Sequence, residues 1–412
     1  MTTTQTSSIR SIPYSKFVFW AALFIGAVLR FYCVIFSSGT SDMEDWEDHA
    51  TQVRDRGLIG YYHANEYANH PPFMSEAGAL ILRTSAVLHI PFRILFRALF
   101  ALVDAGNAWL LFVLLPRNRS RFVPTACYWL CPAAIIISSY HGNTDTAVAF
   151  FLLLSIWLAA KKQTAGSGAA FAAGLWIKLP GILSLPALLT SFRSWRPRGL
   201  FLLTAAAAAL LTYLPAFLLD YKIVWTNVFG YRGLILQTAS GVPLWGPSVL
   251  LFSTVAPIQS WPDKYLRPAL FILEQSWYVA IVAMFVLTWL RRHRNSSAEV
   301  CATIAMVYVV LLGFSDYWAF QYFAWSLPFW FFLPRRFSIP AVSLTSAYLY
   351  SLHWFFTGNG WLLGKWDFLG HPTLPLIVLT LRDLTVLFFF VSACLFLIFA
   401  ARRQPTTAAA VG

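Results

Sequence analysis

Apolar runs recur along almost the whole chain, each broken by a short polar stretch. Residues 374–400 hold only two charged side chains, Arg382 and Asp383. That segment is long enough to cross a bilayer as a helix. A helix satisfies its own backbone polar groups in lipid, so a chain patterned this way folds as a bundle of membrane-spanning helices. Charged residues make up 11% of the 412 residues, against about a quarter in a soluble domain. The composition leaves no room for a separate soluble domain. The chain reads as one all-α polytopic membrane unit covering residues 1–412.

The runs place helices near residues 17–36, 92–115, 122–139, 144–160, 167–178, 180–192, 199–217, 268–290, 299–314, 320–334, 338–357 and 374–400. This predicts about 12 transmembrane helices, within a range of about 10–13. When twelve spans are threaded, basic clusters such as Arg193/Arg196/Arg198, Arg291/Arg292/Arg294 and Arg335/Arg336 fall on one face. The positive-inside rule makes that face cytoplasmic, and both termini with it. The net charge of +13 then reflects topology and anionic lipid, with no nucleic-acid partner implied. The sequons at Asn118 and Asn295 are expected on the cytoplasmic side, unglycosylated. The first apolar run reads as a retained helix, not a cleaved leader. Residues 73–90 are interrupted by Glu76, Arg83 and His89, which suits an interfacial helix on the outer face. Residues 244–258 look similar. The five cysteines lie in or beside apolar runs and read as inert thiols.

One stretch breaks the pattern. Residues 42–48 read Asp42-Met43-Glu44-Asp45-Trp46-Glu47-Asp48 and hold five of the chain's seventeen carboxylates, directly after the first apolar run. Charge beside a membrane face is costly and marks a functional site. If the segment is helical, Asp42, Asp45 and His49 share one face. Carboxylates packed this densely repel, so some must have raised pKa values or be paired with a cation. A plain solvated patch leaves the clustering unexplained. The same outer loop, residues 37–75, closes on Asn69-His70-Pro71-Pro72-Phe73. The prolines stiffen a corner. His70 can bind phosphate or metal, or cap the next helix. His63, His70 and the acids leave a divalent cation (Mg²⁺ or Mn²⁺) open as a cofactor, but their spacing matches no standard metal motif and no metal ligands are assigned.

Three further groups stand out. Tyr140-His141-Gly142-Asn143-Thr144-Asp145 lies between two apolar runs. Asn143 or Thr144 can cap the following helix, which leaves His141 and Asp145 either as part of the cap or as substrate contacts. Lys178 stands inside an apolar run and needs a carboxylate, a phosphate or a route to water. Tyr231 and Arg232, flanked by glycines in the outer loop 218–267, suit a phosphate fork or a tight turn. Arg382 and Asp383 can simply pair with each other.

Taken in order, these segments carry a resemblance. Gly39-Thr40-Ser41-Asp42 followed by Trp46, then Asn69 to Phe73, His141 to Asp145, Gly174 to Pro180 with Lys178, Phe229 to Gly233, and Gln321 to Trp325 leading to Leu327-Pro328 make the chain similar to the GT-C superfamily of integral-membrane glycosyltransferases. The likeness is to its bacterial multi-pass branch, related to the glucosyl- and mannosyltransferases of that superfamily, which implies a role in the cell envelope. The resemblance implies a polyprenyl-phosphate sugar as donor and a glycan, lipid or protein hydroxyl as acceptor. It implies transfer of a hexose or pentose with inversion, at a site outside the cytoplasmic membrane of a bacterium. It implies a catalytic carboxylate matching Asp42, with Glu44 or Asp45 as alternatives. His70, His141, Asp145, Lys178, Tyr231, Arg232 and Gln321 become substrate-binding candidates. The rival reading, a multi-pass transporter or lipid-linked glycan flippase, predicts two similar halves. The halves of this chain look dissimilar.

Overall fold

The computed structural model describes residues 12–116, 121–231, 233, 236–238, 241–251, 262–368, 370–371 and 373–402. Among these residues the chain is helical, apart from an isolated bridge between Gln237 and Pro243. The first half comprises α1 (Ile12–Phe36), α2 (Asp42–Ala64), α3 (Pro72–Leu88), α4 (Phe92–Leu114), α5 (Phe122–Trp129), α6 (Pro132–His141), α7 (Asp145–Ala160), α8 (Thr164–Ile177) and α9 (Leu179–Leu189). The second comprises α10 (Trp195–Val224), α11 (Pro247–Leu251), α12 (Asp263–Leu290), α13 (Ser297–Phe314), α14 (Arg335–Thr357) and α15 (Leu376–Arg402).

Six helical stretches are long and apolar enough to cross a membrane: Lys16–Phe36 within α1, α4, Trp195–Phe229, α12, α13 and α15. The pair α5 and α6, bent by 49°, makes a seventh if it is one span. The expected twelve are not reached among the described residues. Several apolar runs instead form short elements. The 144–160 run is the 16-residue α7, and the 180–192 run contributes to α9. The 320–334 run is two 3-10 turns, Phe320–Trp325 and Leu327–Phe332. The physical reason is visible in α7, which buries Ala147, Val148, Leu152 and Leu153 against protein. An apolar surface facing protein reads in sequence like one facing lipid. Helix α14 has 23 residues but too many polar ones to pass as a span by composition.

Two buried arginines tie the first half together. Arg30 of α1 pairs with Asp104 of α4 at 2.6 Å, donates to the Trp129 carbonyl at 2.7 Å, and lies 3.6 Å from the Trp129 ring centroid. The Tyr128 hydroxyl bonds the other oxygen of Asp104. Each charge is thereby paired and hydrogen-bonded, the condition for keeping it out of water. In α15, Arg382 pairs with Asp383 at 2.8 Å and also donates to the Pro243 carbonyl.

Arg97 has a different role. Its guanidinium donates to the carbonyls of Cys33 (3.2 Å), Val34 (3.0 Å) and Ser37 (2.8 Å), to the Ser37 hydroxyl (2.7 Å) and to the Tyr140 carbonyl (3.4 Å). The last carbonyls of a helix have no partners of their own, and positive charge is favoured there. Arg97 thus caps α1 and joins its exit to the end of α6.

Candidate active site

The α1 exit leads through residues 37–41 directly into α2, which begins at Asp42. The acidic stretch is helical, and its carboxylates divide by face. Met43, Trp46, Ala50 and Val53 are buried at helical spacing and anchor α2 on the protein. Asp42, Asp45, Asp48 and His49 line a cavity of ≈ 770 Å³, a size ordinary for a small-molecule site. Glu44 and Glu47 are exposed and outside its lining. The structure therefore sets Glu44 apart from the other two acidic candidates.

α6 brings in the partner of Asp42. It ends in a π turn, Ile136–His141, followed by Gly142 at φ 67°, ψ 52°. The backbone N–H of Gly142 and of Asn143 both return to the Ile137 carbonyl, at 3.0 and 3.2 Å. A side chain at Gly142 is excluded twice over. The left-handed backbone disfavours it, and a Cβ there would stand 2.2 Å from Arg97 Cγ.

This turn aims His141 at α2. His141 Nε2 lies 3.2 Å from Asp42 Oδ2, and His141 Nδ1 hydrogen-bonds Thr40 Oγ1 at 2.6 Å. Asn143 Nδ2 donates to the same Asp42 oxygen at 3.1 Å. Asn143 Oδ1 in turn accepts from the backbone N–H of Asp145 at 3.3 Å. Asn143 is thus both a cap for α7 and a contact to Asp42. Burial alone would push the Asp42 carboxyl up. The charge of His141, its hydrogen bond, and the charge of Lys178 outweigh that and bring it below its ordinary value. Asp42 remains 36% exposed at its side chain, so a solute can reach it. Its Oδ1 has no partner among the described residues. Asp45 behaves oppositely: burial, then the charges of Asp42, Glu44 and Asp48, raise its carboxyl.

Lys178 sits at the break between α8 and α9, in extended backbone. Of the three fates open to it, the structure supplies the carboxylate. Its Nζ donates to Asp145 Oδ2 at 2.6 Å. Asp145 is fully buried, and the indole N–H of Trp325 bonds its other oxygen. Lys178 still lines the cavity and lies 5.5 Å from the Tyr322 ring centroid. Asp145 itself is behind the lining rather than in it.

His70 stacks on Trp46 with centroids 4.1 Å apart. Burial, then the charges of Lys178 and His49, hold it well below the usual imidazole range against the pull of Asp42. It is a neutral ring at neutral pH and offers no charge to a phosphate. Its Nδ1, like that of His49, is buried without a hydrogen-bond partner among the described residues. Tyr231 and Gln321 line the same cavity. Arg232 lies outside the described residues. Among the described residues, no three His, Cys, Asp or Glu side chains converge as a metal ion would require.

Residues from five separate stretches thus meet at one cavity: Asp42 and Asp45, His70, Lys178, Tyr231 and Gln321 in its lining, with His141 and Asp145 directly behind. The sequence left Arg97 unremarked and gave no role to Thr40 and Trp325, although both stand in segments that carry the resemblance. Arg97 did leave a signal, a charge inside an apolar run. The family model for glycosyltransferase family 87 matches residues 78–315, more than half of the chain. A search of curated proteins finds no match to the chain.

Proposed function

Starting from the fact that this chain belongs to glycosyltransferase family 87, a family of integral-membrane glycosyltransferases of the GT-C type, we propose that it transfers a hexosyl or pentosyl group from a polyprenyl-phosphate donor to a hydroxyl acceptor. The reaction takes place on the extracytoplasmic side of a bacterial inner membrane, with both termini in the cytoplasm. Asp42 is the base. An acceptor hydroxyl gives its proton to Asp42, and its oxygen bonds the anomeric carbon. The bond from that carbon to the phosphate oxygen breaks, and the electron pair leaves with the phosphate. Attack opposite the leaving group inverts the anomeric centre.

The observation that carries this reading is the state of Asp42. One oxygen is held by His141 and Asn143, the other is unpartnered among the described residues, and the group is kept ionised at the cavity. Such a carboxylate is a weak base. That suits a late proton transfer, because the hydroxyl becomes acidic only as its bond to carbon forms. Lys178 contributes positive charge near the departing phosphate while paired with Asp145. Tyr231 and Gln321 supply neutral hydrogen-bonding groups to the sugar.

Purified protein given a radiolabelled polyprenyl-phosphate sugar and membrane acceptors tests the proposal. Labelled product should form with the native chain and not with Asp42→Asn. Movement of the donor across vesicles without any product would instead favour a flippase.

A further inference from the structure

A second cavity lies at the other end of α13. The C-terminal end of that helix meets the first site through Leu311 and Ser315. Its first turns carry Glu299 and Thr303, which hold Arg291. An 18-residue helix rises about 27 Å, so the two ends belong to opposite membrane faces. The second cavity, of ≈ 660 Å³, is lined by the buried Arg291, by Arg294 and Arg336, and by α15 from Leu384 to Ala400.

The α15 wall combines Phe388, Ser392, Phe396 and Ala400 with an outward stripe of Leu384, Leu387, Val391, Leu395 and Phe399. Each side chain of the stripe is 42–49% exposed, so protein does not cover it. From Leu384 to Ala400 the wall runs about 24 Å at helical rise. One leaflet of hydrocarbon is about 15 Å deep, and its headgroup layer adds several ångströms. The groove is therefore long enough to hold an acyl chain through the whole of one leaflet, with cations at one end of it. Arg294 lies 3.4 Å from Glu299, a carboxylate that Arg291 also holds at 2.7 Å. No carboxylate among the described residues lies within ion-pair distance of the exposed Arg336.

We propose that this groove is a binding site for an anionic phospholipid of the leaflet opposite the sugar-transfer site. The phosphodiester meets Arg294 and Arg336, and one acyl chain lies along the α15 stripe. The site depends on neither Asp42 nor the donor.

Native mass spectrometry of the full chain in detergent tests it, with phosphatidylglycerol and phosphatidylcholine of identical acyl chains as probes. Phosphatidylglycerol should be retained preferentially. Removing one cation, Arg336→Gln, should weaken its retention about fivefold, and Arg294→Gln with Arg336→Gln about thirtyfold. Val391→Trp fills the groove without touching the arginines and should abolish retention. Equal retention of both lipids would overturn the proposal. So would an indifferent Val391→Trp variant that keeps the native melting temperature, or a lipid-free dimer that separates when Val391 is enlarged.

Discussion

His141 Nε2 stands 3.2 Å from Asp42 Oδ2, and the contact joins two loops that one guanidinium, Arg97, holds at their other ends. The carboxylate is therefore positioned by elements far apart in the chain. Its charge and its direction are set by neighbours rather than by the acidic stretch it belongs to.

Replacing Asp42 with Asn keeps the size of the side chain and removes the proposed base. Transfer should fall by about 10²–10⁴-fold, with the detergent-solubilised protein still folded. Glu44→Gln should leave the rate within a small factor of native, because that side chain is exposed and outside the cavity lining. A rate loss in Glu44→Gln matching that of Asp42→Asn would move the base to Glu44.

The pH profile follows from the depressed Asp42 pKa. A base must be ionised, so kcat/KM should hold as pH falls toward the ordinary carboxyl value and drop only below it. His141→Gln removes the charge that contributes most to lowering this pKa. The acid limb of kcat/KM should then move to higher pH. Stability carries the same sign. The ionised Asp42 carboxylate stabilises the fold above its unfolded-state pKa, and that contribution is lost as pH falls through the lower folded-state value. His141→Gln should reduce this pH-dependent part of the melting curve. An acid limb that stays in place would disconnect His141 from the base.

Much of this site was legible because polar residues in an apolar chain are conspicuous. Asp42, His141, Asp145 and Lys178 each had to find a partner, and they found one another. What the sequence did not carry was the pairing itself. Lys178 could equally have met a phosphate until Asp145 appeared 2.6 Å away. The split of the acidic stretch into carboxylates that line the cavity and carboxylates outside it needed the buried stripe of Met43, Trp46 and Ala50 to be located first. The span count failed for a related reason. Helices α7 and α9 are apolar for burial against protein, and hydrophobicity alone does not record what the neighbour is.

The Lys178–Asp145 contact separates a structural role from a functional one. Lys178→Met strands a buried carboxylate and should destabilise the protein by about 3–5 kcal/mol. Adding Asp145→Leu removes the stranded charge, so the double variant should regain most of the melting temperature. If the ammonium also serves the donor phosphate, transfer stays low in that stable double variant. Full recovery of both stability and transfer would reduce the pair to a structural contact.

The assigned orientation makes a separate demand. Glu47 is exposed on α2, so Glu47→Cys in a cysteine-free background should react with an impermeant maleimide added to intact cells. His293→Cys, beside the basic cluster, should react only after lysis. The reverse pattern would move the acidic helix, and the proposed chemistry with it, to the cytoplasm.

Arg97 gives the last test, because it touches no part of the cavity lining yet holds the loops that lead to Asp42 and His141. Arg97→Met keeps most of the apolar stem but removes every donor. It leaves the Val34 and Ser37 carbonyls without that partner, at about 1–3 kcal/mol for each acceptor left buried and unsatisfied. Gly142→Ala disturbs the same clamp from the opposite side without altering charge, since its Cβ would meet the Arg97 stem. Both variants should melt at lower temperature. Assayed well below that temperature, both should still show a reduced kcat, with the donor KM nearly unchanged, because the base is displaced while the cavity survives. A kcat that returns to the native value once the protein is folded would show that Arg97 stabilises the bundle without aligning Asp42.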